Sequence, residues 1–153
     1  MAAGKFILYT PAIRNILEGL INLNSDTIIA IPLHAGYTPS TASHSALAQI
    51  ANFQASASGS IVSAVTLSTI NITGSGAVSV KFDAGDIAGI SAGGDTFQCK
   101  YIALYSQSSS RAGSDNLLIG FFDTDTAAST GVEGTQLNVT WAAGGIFKAN
   151  GNQ

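Results

Sequence analysis

The chain has 153 residues, 46% of them hydrophobic and 10% charged, with six Lys+Arg against nine Asp+Glu and a formal net charge of −3. A chain of this length suits one domain, residues 1–153, which buries roughly 70% of the surface its unfolded form exposes and requires no metal or disulfide framework. The basic residues are scattered as Lys5, Arg14, Lys81, Lys100, Arg111 and Lys148, so no positive stripe exists to neutralise phosphates, and no nucleic-acid partner is expected.

The first predicted element is a helix opening at Thr10-Pro11. Thr10 is placed to cap free backbone N–H groups, and Pro11 suits the first helical position, where its missing N–H is not needed. Ile13, Ile16, Leu17 and Leu20 then share one face. Asn22 to Asp26 reads as a turn into a buried strand, Thr27 to Ile31, which Pro32 ends or marks as an edge. Between His34 and Ser60 the residues are mostly Ser, Thr, Ala and Gly, with a short helix around Ser43 to Ala51 and a loop from Gln54 to Ser60.

From Ile61 the apolar period becomes two. Ile61 to Ile72, a turn at Thr73-Gly74-Ser75-Gly76 and Ala77 to Phe82 form a hairpin that points Val78, Val80 and Phe82 inward. In the strand Thr96 to Tyr105, Phe97, Cys99, Tyr101, Ala103 and Tyr105 lie on one face, while Ile102 and Leu104 make the other face apolar as well. Such a strand is covered on both sides near its end. Ser106 to Asn116 is a polar loop, Leu117 to Phe122 a strand, and Gln136 to Trp141 with Ile146-Phe147 closes the sheet. The expected fold is mainly β: a β-sandwich or jelly-roll-like domain with one N-terminal amphipathic helix.

No Asp, Glu, Lys or Arg occurs from Thr27 to Val80, although much of that span is too polar for a core. Either it is a Ser/Thr-covered surface or part of it contacts another subunit or partner, where charges are depleted because their desolvation is costly. Tyr37, Ile50 and Phe53 are the apolar candidates for that interface.

The residue pattern points to no enzyme, cofactor or metal. His34 and His44 fall in loop-like sequence and read as exposed, and no Gly-x-Ser-x-Gly elbow accompanies them. The lone Cys99 reads as a small buried hydrophobe. Asp115, Asp123 and Asp125 lack the spacing of a calcium-binding loop and read as turn residues. Gly93-Gly94 is not followed by the Lys-Ser or Lys-Thr of a phosphate-cradling loop. No apolar run reaches the roughly 18 residues of a membrane span, so no membrane association is expected, and Met1 to Tyr9 does not read as a signal peptide.

The layout resembles a family of small virion proteins of tailed bacteriophages, the capsid decoration or cement proteins. The resemblance rests on Ile13-Arg14-Asn15-Ile16-Leu17-Glu18-Gly19, Asp26-Thr27-Ile28, Ala35-Gly36-Tyr37-Thr38-Pro39, Lys100 to Tyr105, Leu117 to Asp123 and Val139 to Phe147. Pro32 and the Ser/Ala-rich stretch Asn52 to Ser60 depart from the pattern. The resemblance implies a protein made in the host cytoplasm that binds the outer surface of the assembled head, bridges major capsid protein subunits and self-associates as a dimer or trimer. The alternative is a head or tail fibre or neck module that binds host-surface glycans or another virion protein, with Tyr37 or Trp141 exposed as a platform. Trp141 itself reads as core, because Leu137 and Val139 share its face.

Overall fold

The computed structural model describes residues 4–75, 79–109, 111 and 116–150. The chain begins with β1 (Ile7–Leu8), α1 (Thr10–Leu17) and β2 (Thr27–Leu33). Two single-turn 3-10 helices, Leu47–Gln49 and Ala51–Phe53, precede β3 (Ser56–Ala57), β4 (Ser60–Ile61) and β5 (Val65–Thr66). Next come β6 (Asn71–Ser75), β7 (Ser79–Asp83), β8 (Ile87–Ser91), β9 (Phe97–Cys99) and β10 (Tyr101–Gln107). The last strands are β11 (Leu117–Asp123), β12 (Val132–Gly134), β13 (Gln136–Val139) and β14 (Phe147–Asn150). The fold is mainly β and sandwich-like. A five-stranded antiparallel sheet, β1-β11-β10-β2-β5, is accompanied by a three-stranded sheet, β14-β7-β6, and by the pairs β12-β9, β13-β8 and β3-β4.

The middle strand β10 explains the apolar residues of both parities in this stretch. It pairs with β11 along one edge and β2 along the other, and Ile102, Ala103, Leu104, Tyr105 and Ser106 are all buried. One face carries Tyr101 edge-on to Phe121; the opposite side of β11 carries Phe122 edge-on to Trp141, with ring centroids 5.6 Å apart. The strand is thus covered on both sides, as its sequence predicts.

Pro32 neither ends β2 nor lies at its outer edge; it is buried and opposite Ile102. Its carbonyl accepts the Ala55 N–H at 2.9 Å. A residue's N and C=O leave the same edge of a strand, so the missing donor faces the side where β5 pairs only with Ile29 and Ala30, and the β10 ladder is not interrupted.

Several local expectations change, among them the strand Ile61 to Ile72, which is divided among β4, β5 and β6, and the helix around Ser43 to Ala51, of which the 3-10 turn Leu47–Gln49 is formed. Tyr9, with extended backbone, holds the helix N-cap position and Thr10 is the first helical residue; the Thr10 N–H bonds the Thr41 carbonyl at 2.8 Å instead of being capped locally. In the hairpin of β6 and β7, Thr73, Gly74 and Ser75, expected in the turn, are strand residues paired with Lys81, Val80 and Ser79, and Gly76 lies outside the described residues. Val80 shares a strand face with buried Phe82 yet remains 47% exposed, and Val78 lies outside the described residues. The loop expected from Gln54 to Ser60 contains a hairpin, β3–β4, whose central residues Ser58 and Gly59 have φ of 46° and 83°. Two consecutive positive φ values match the twist of the flanking strands, and Gly supplies one of them without strain.

Two ionic contacts fasten the connections. Lys100, between β9 and β10, sends its ammonium to the Asp125 and Ala128 carbonyls (2.7 and 2.8 Å) and to Asp123 Oδ2 (2.9 Å). All three of its donors are therefore used in holding the 124–131 connection. Arg111 meets Asp26 Oδ2 at 3.1 Å and also donates to the Leu20 carbonyl and Ser106, tying the helix-to-β2 turn to the end of β10. Burial pushes the Asp26 carboxyl up, but hydrogen bonds from Ser106, the Asn22 N–H and Ser108, with the Arg111 charge, hold it below its ordinary value of 3.8.

Replacing Lys100 with Met removes the three donors it gives to Asp123 and the Asp125 and Ala128 carbonyls, and a loss of about 2–4 kcal/mol is expected in urea unfolding. A carboxylate with a lowered folded value contributes stability above its unfolded value that disappears as pH falls through the folded one. Stability measured from pH 6 down to pH 2 should therefore fall below about pH 4, and Asp26→Asn, less stable at pH 6, should show a shallower decline.

Candidate interaction surface

The three apolar residues singled out in the charge-free span lie together, but they face inward. Tyr37 is 1% and Ile50 0% exposed, and Phe53 is half-buried against the rings of His34 and Tyr37. The reason is an aromatic cluster formed where the 34–54 segment folds back on the five-stranded sheet. Tyr37 is edge-on to Tyr101 and stacked on His44, and Tyr9 contacts Phe121. The Tyr9 and Tyr37 hydroxyls are 2.6 Å apart, and the Tyr37 hydroxyl is 2.8 Å from His44 Nδ1. Tyr37 and Ile50 thus do not form exposed contact surface on this subunit; they seal the loop onto its own core. The exposed residues of the charge-free span are largely Ser, Thr, Ala and Asn, with Ile61 at the β3–β4 hairpin 65% exposed.

The histidines are also less exposed than their loop context suggests. Both are half-buried, and each uses Nδ1 to receive a backbone N–H: His34 from Gly36 at 2.9 Å, His44 from Ser40 at 3.3 Å. His34 lines an open polar recess of about 380 Å³ with Ser56, Ser58, Thr96, Gln98 and Glu133. A serine nucleophile needs a base whose Nδ1–H is held by a carboxylate while Nε2 accepts the hydroxyl proton. Here Nδ1 is itself an acceptor, so the proton of neutral His34 sits on Nε2, and Glu133 is bound to Gln98 at 3.0 Å. The recess collects the residue types without that polarity.

The remaining candidates are committed to structure. Burial pushes the Cys99 thiol up to about 12, and its Sγ lies 3.3 Å from the Tyr101 carbonyl. Asp123 binds Lys100 and the Asp125 N–H, while Asp125 accepts the Ala127 and Ala128 N–H groups; Asp115 lies outside the described residues. Trp141 is 7% exposed, and its indole N–H donates to the Gly85 carbonyl at 3.1 Å. Neither aromatic named as a platform is on the surface.

An exposed apolar groove lies instead between α1 and the three-stranded sheet. Ile13, Leu17, Ile72 and Val80 are 46%, 82%, 40% and 47% exposed, and with Leu8 and Phe147 they line a groove of about 400 Å³. The helix buries Ala12 against the body and leaves the Ile13–Leu17 edge outward. The helix stripe was legible in the sequence; what was missing was its neighbour, since Ile72 and Val80 join it only through the tertiary placement of β6 and β7. Comparison with protein-family models, with curated proteins and with solved structures found no match.

A thiol at about 12 is overwhelmingly protonated near neutrality, and burial blocks reagent access. Cys99 in the folded protein at pH 8 should therefore resist an aromatic disulfide reagent and react stoichiometrically once the chain is unfolded in guanidinium. Tyr37→Phe removes the hydroxyl that joins Tyr9 to His44, and a loss of about 1–3 kcal/mol is expected in chemical denaturation.

Proposed function

We propose that this protein is a capsid decoration, or cement, protein of a tailed bacteriophage. In this reading it is made in the host cytoplasm, binds the outer surface of the assembled head and stabilises contacts between major capsid protein subunits without catalysis. The observation that carries the reading is the apolar groove beside α1, whose rim includes a leucine left 82% exposed. Contiguous exposed apolar surface rimmed by polar groups marks sites of macromolecular contact. The sequence resemblance through α1, β10, β11 and the C-terminal strands supplies the type of partner. The reading includes self-association as a dimer or trimer.

The mechanism is linkage. A protein that binds the assembled lattice and not its separated subunits stabilises the assembly by its binding free energy, multiplied over many copies. The uncharged Ser/Thr-rich surface between Thr27 and Val80 suits such contact, because burying it desolvates no ionised side chain.

The polar recess around His34, Gln98 and Glu133 favours a second reading, a fibre or neck module that binds host-surface glycans or another virion protein. The internal positions of Tyr37 and Trp141 deprive that reading of the stacking rings named for it.

Purified protein should cosediment saturably with expanded capsid shells lacking it, and not with unexpanded ones. Leu17→Asp, at an exposed position, should keep its circular dichroism while weakening shell binding by about tenfold or more. Failure of the wild-type protein to bind any shell, together with binding to cell-wall glycan, would replace the decoration reading by the fibre module.

A further inference from the structure

The pairing of charges singles out a second opening next to the apolar groove. Among the described residues, four of the six cations are in ion pairs: Arg14 with Glu18, Lys81 with Asp83, Lys100 with Asp123 and Arg111 with Asp26. The remaining two, Lys5 and Lys148, have no such partner among the described residues, and both line one cleft of about 400 Å³. The Lys148 side chain lies over Gly144, its Nζ 3.5 Å from where a Cβ on that glycine would be. Two unpaired cations from opposite ends of the sequence thus converge on one opening.

The backbone around that cleft is incomplete in the same place. Among the described residues, β1 is the edge of the five-stranded sheet and pairs only with β11, and β14 is the edge of the three-stranded sheet and pairs only with β7. The two edges approach across the cleft, where Phe6 stacks on Phe147 with centroids 5.7 Å apart and Phe147 stacks in turn on Phe82 at 5.1 Å. Leu8, Phe147 and Lys148 line both this cleft and the apolar groove, so the two are continuous. A free strand edge offers a ladder of N–H and C=O groups to an incoming strand. Here an apolar floor and a cationic rim accompany it.

We infer that the cleft between β1 and β14 receives an extended segment of a partner protein, apolar on the side facing Phe6 and Phe147 and carrying carboxylates that meet Lys5 and Lys148. Charge selects the partner: an acidic strand gains two ion pairs, whereas a basic one meets like charges on entry. The inference rests on the decoration reading for its source, an exposed acidic strand of the major capsid protein, and deepens it by naming the contact.

The test uses the whole protein and expanded shells lacking it. Lys5→Glu and Lys148→Glu, both at exposed positions, are made singly and together, with circular dichroism and urea unfolding confirming the fold. Wild type should bind saturably, and the double variant should bind roughly tenfold or more weakly. Hydrogen exchange in the wild-type complex should slow at Ile7–Leu8 and Phe147–Asn150. Equal binding by wild type and double variant, or unchanged exchange at both strands, overturns the cleft assignment while leaving shell binding in place. Loss of the double variant's binding without added protection at either edge also overturns it, reducing the lysines to long-range attraction. A wild-type protein that binds no shell overturns the decoration reading, and this partner with it.

Discussion

Strand β10 has neighbours along both edges and side chains covered on both faces, and that double enclosure constrains everything around it. A strand so placed must be apolar at both parities, and it needs cover on two sides from a chain that is mainly strand and loop. The protein supplies that cover unequally. On one side the 34–54 segment folds its aromatic rings inward with Tyr9, and on the other Trp141 and the later strands close over Phe122. Ile50 and Tyr37 are consumed in the first cover, which is why the charge-free span turns its hydroxyls and methyls outward while its large rings are hidden.

The same enclosure sets the demands on polar groups at the ends of β10. Lys100 enters the protein because its three donors are all met by Asp123 and two carbonyls; burying an ammonium that deep without partners is costly. At the far end Ser106 is buried with Asp26 and Arg111 around it. Close packing continues at Gly120 of β11, where a Cβ would lie 2.5 Å from both the Ile7 carbonyl oxygen and a Phe6 ring carbon. Glycine there lets β1 and the Phe6 ring come down onto the sheet, and so brings Phe6 to Phe147.

How much of this could be read from the residues depends on the range of the cause. The two-sided burial of Ile102 and Leu104, the Cys99 core position and the buried Trp141 follow from alternation within one strand, a local signal. The outward edge of α1, the inward turn of Tyr37 and Ile50 and the half-burial of both histidines depend on which distant segment lies alongside, and no local period encodes that. Pro32 misled for a related reason: its effect on a strand depends on which edge the missing N–H faces. The Ser58-Gly59 turn was legible in principle, since Ser-Gly is a turn dipeptide, but the surrounding Ser/Ala composition lacks the alternation that would have marked two-residue strands. The groove was half legible, with its helical side in the sequence pattern and its sheet side visible only in three dimensions.

The stacking of Phe6 on Phe147 also bears on chain order. It brings β1 and β14, the first and last strands among the described residues, near one another although most of the sequence separates them. Strands so placed, with a tight exposed turn elsewhere, as at Ser58-Gly59, allow in principle a reordered chain in which β14 leads into β1 and the new break falls at that turn. The central sheet would keep every pairing, because none of its strands contains Ser58 or Gly59. The architecture thus belongs to the set of contacts more than to the direction in which the chain visits them.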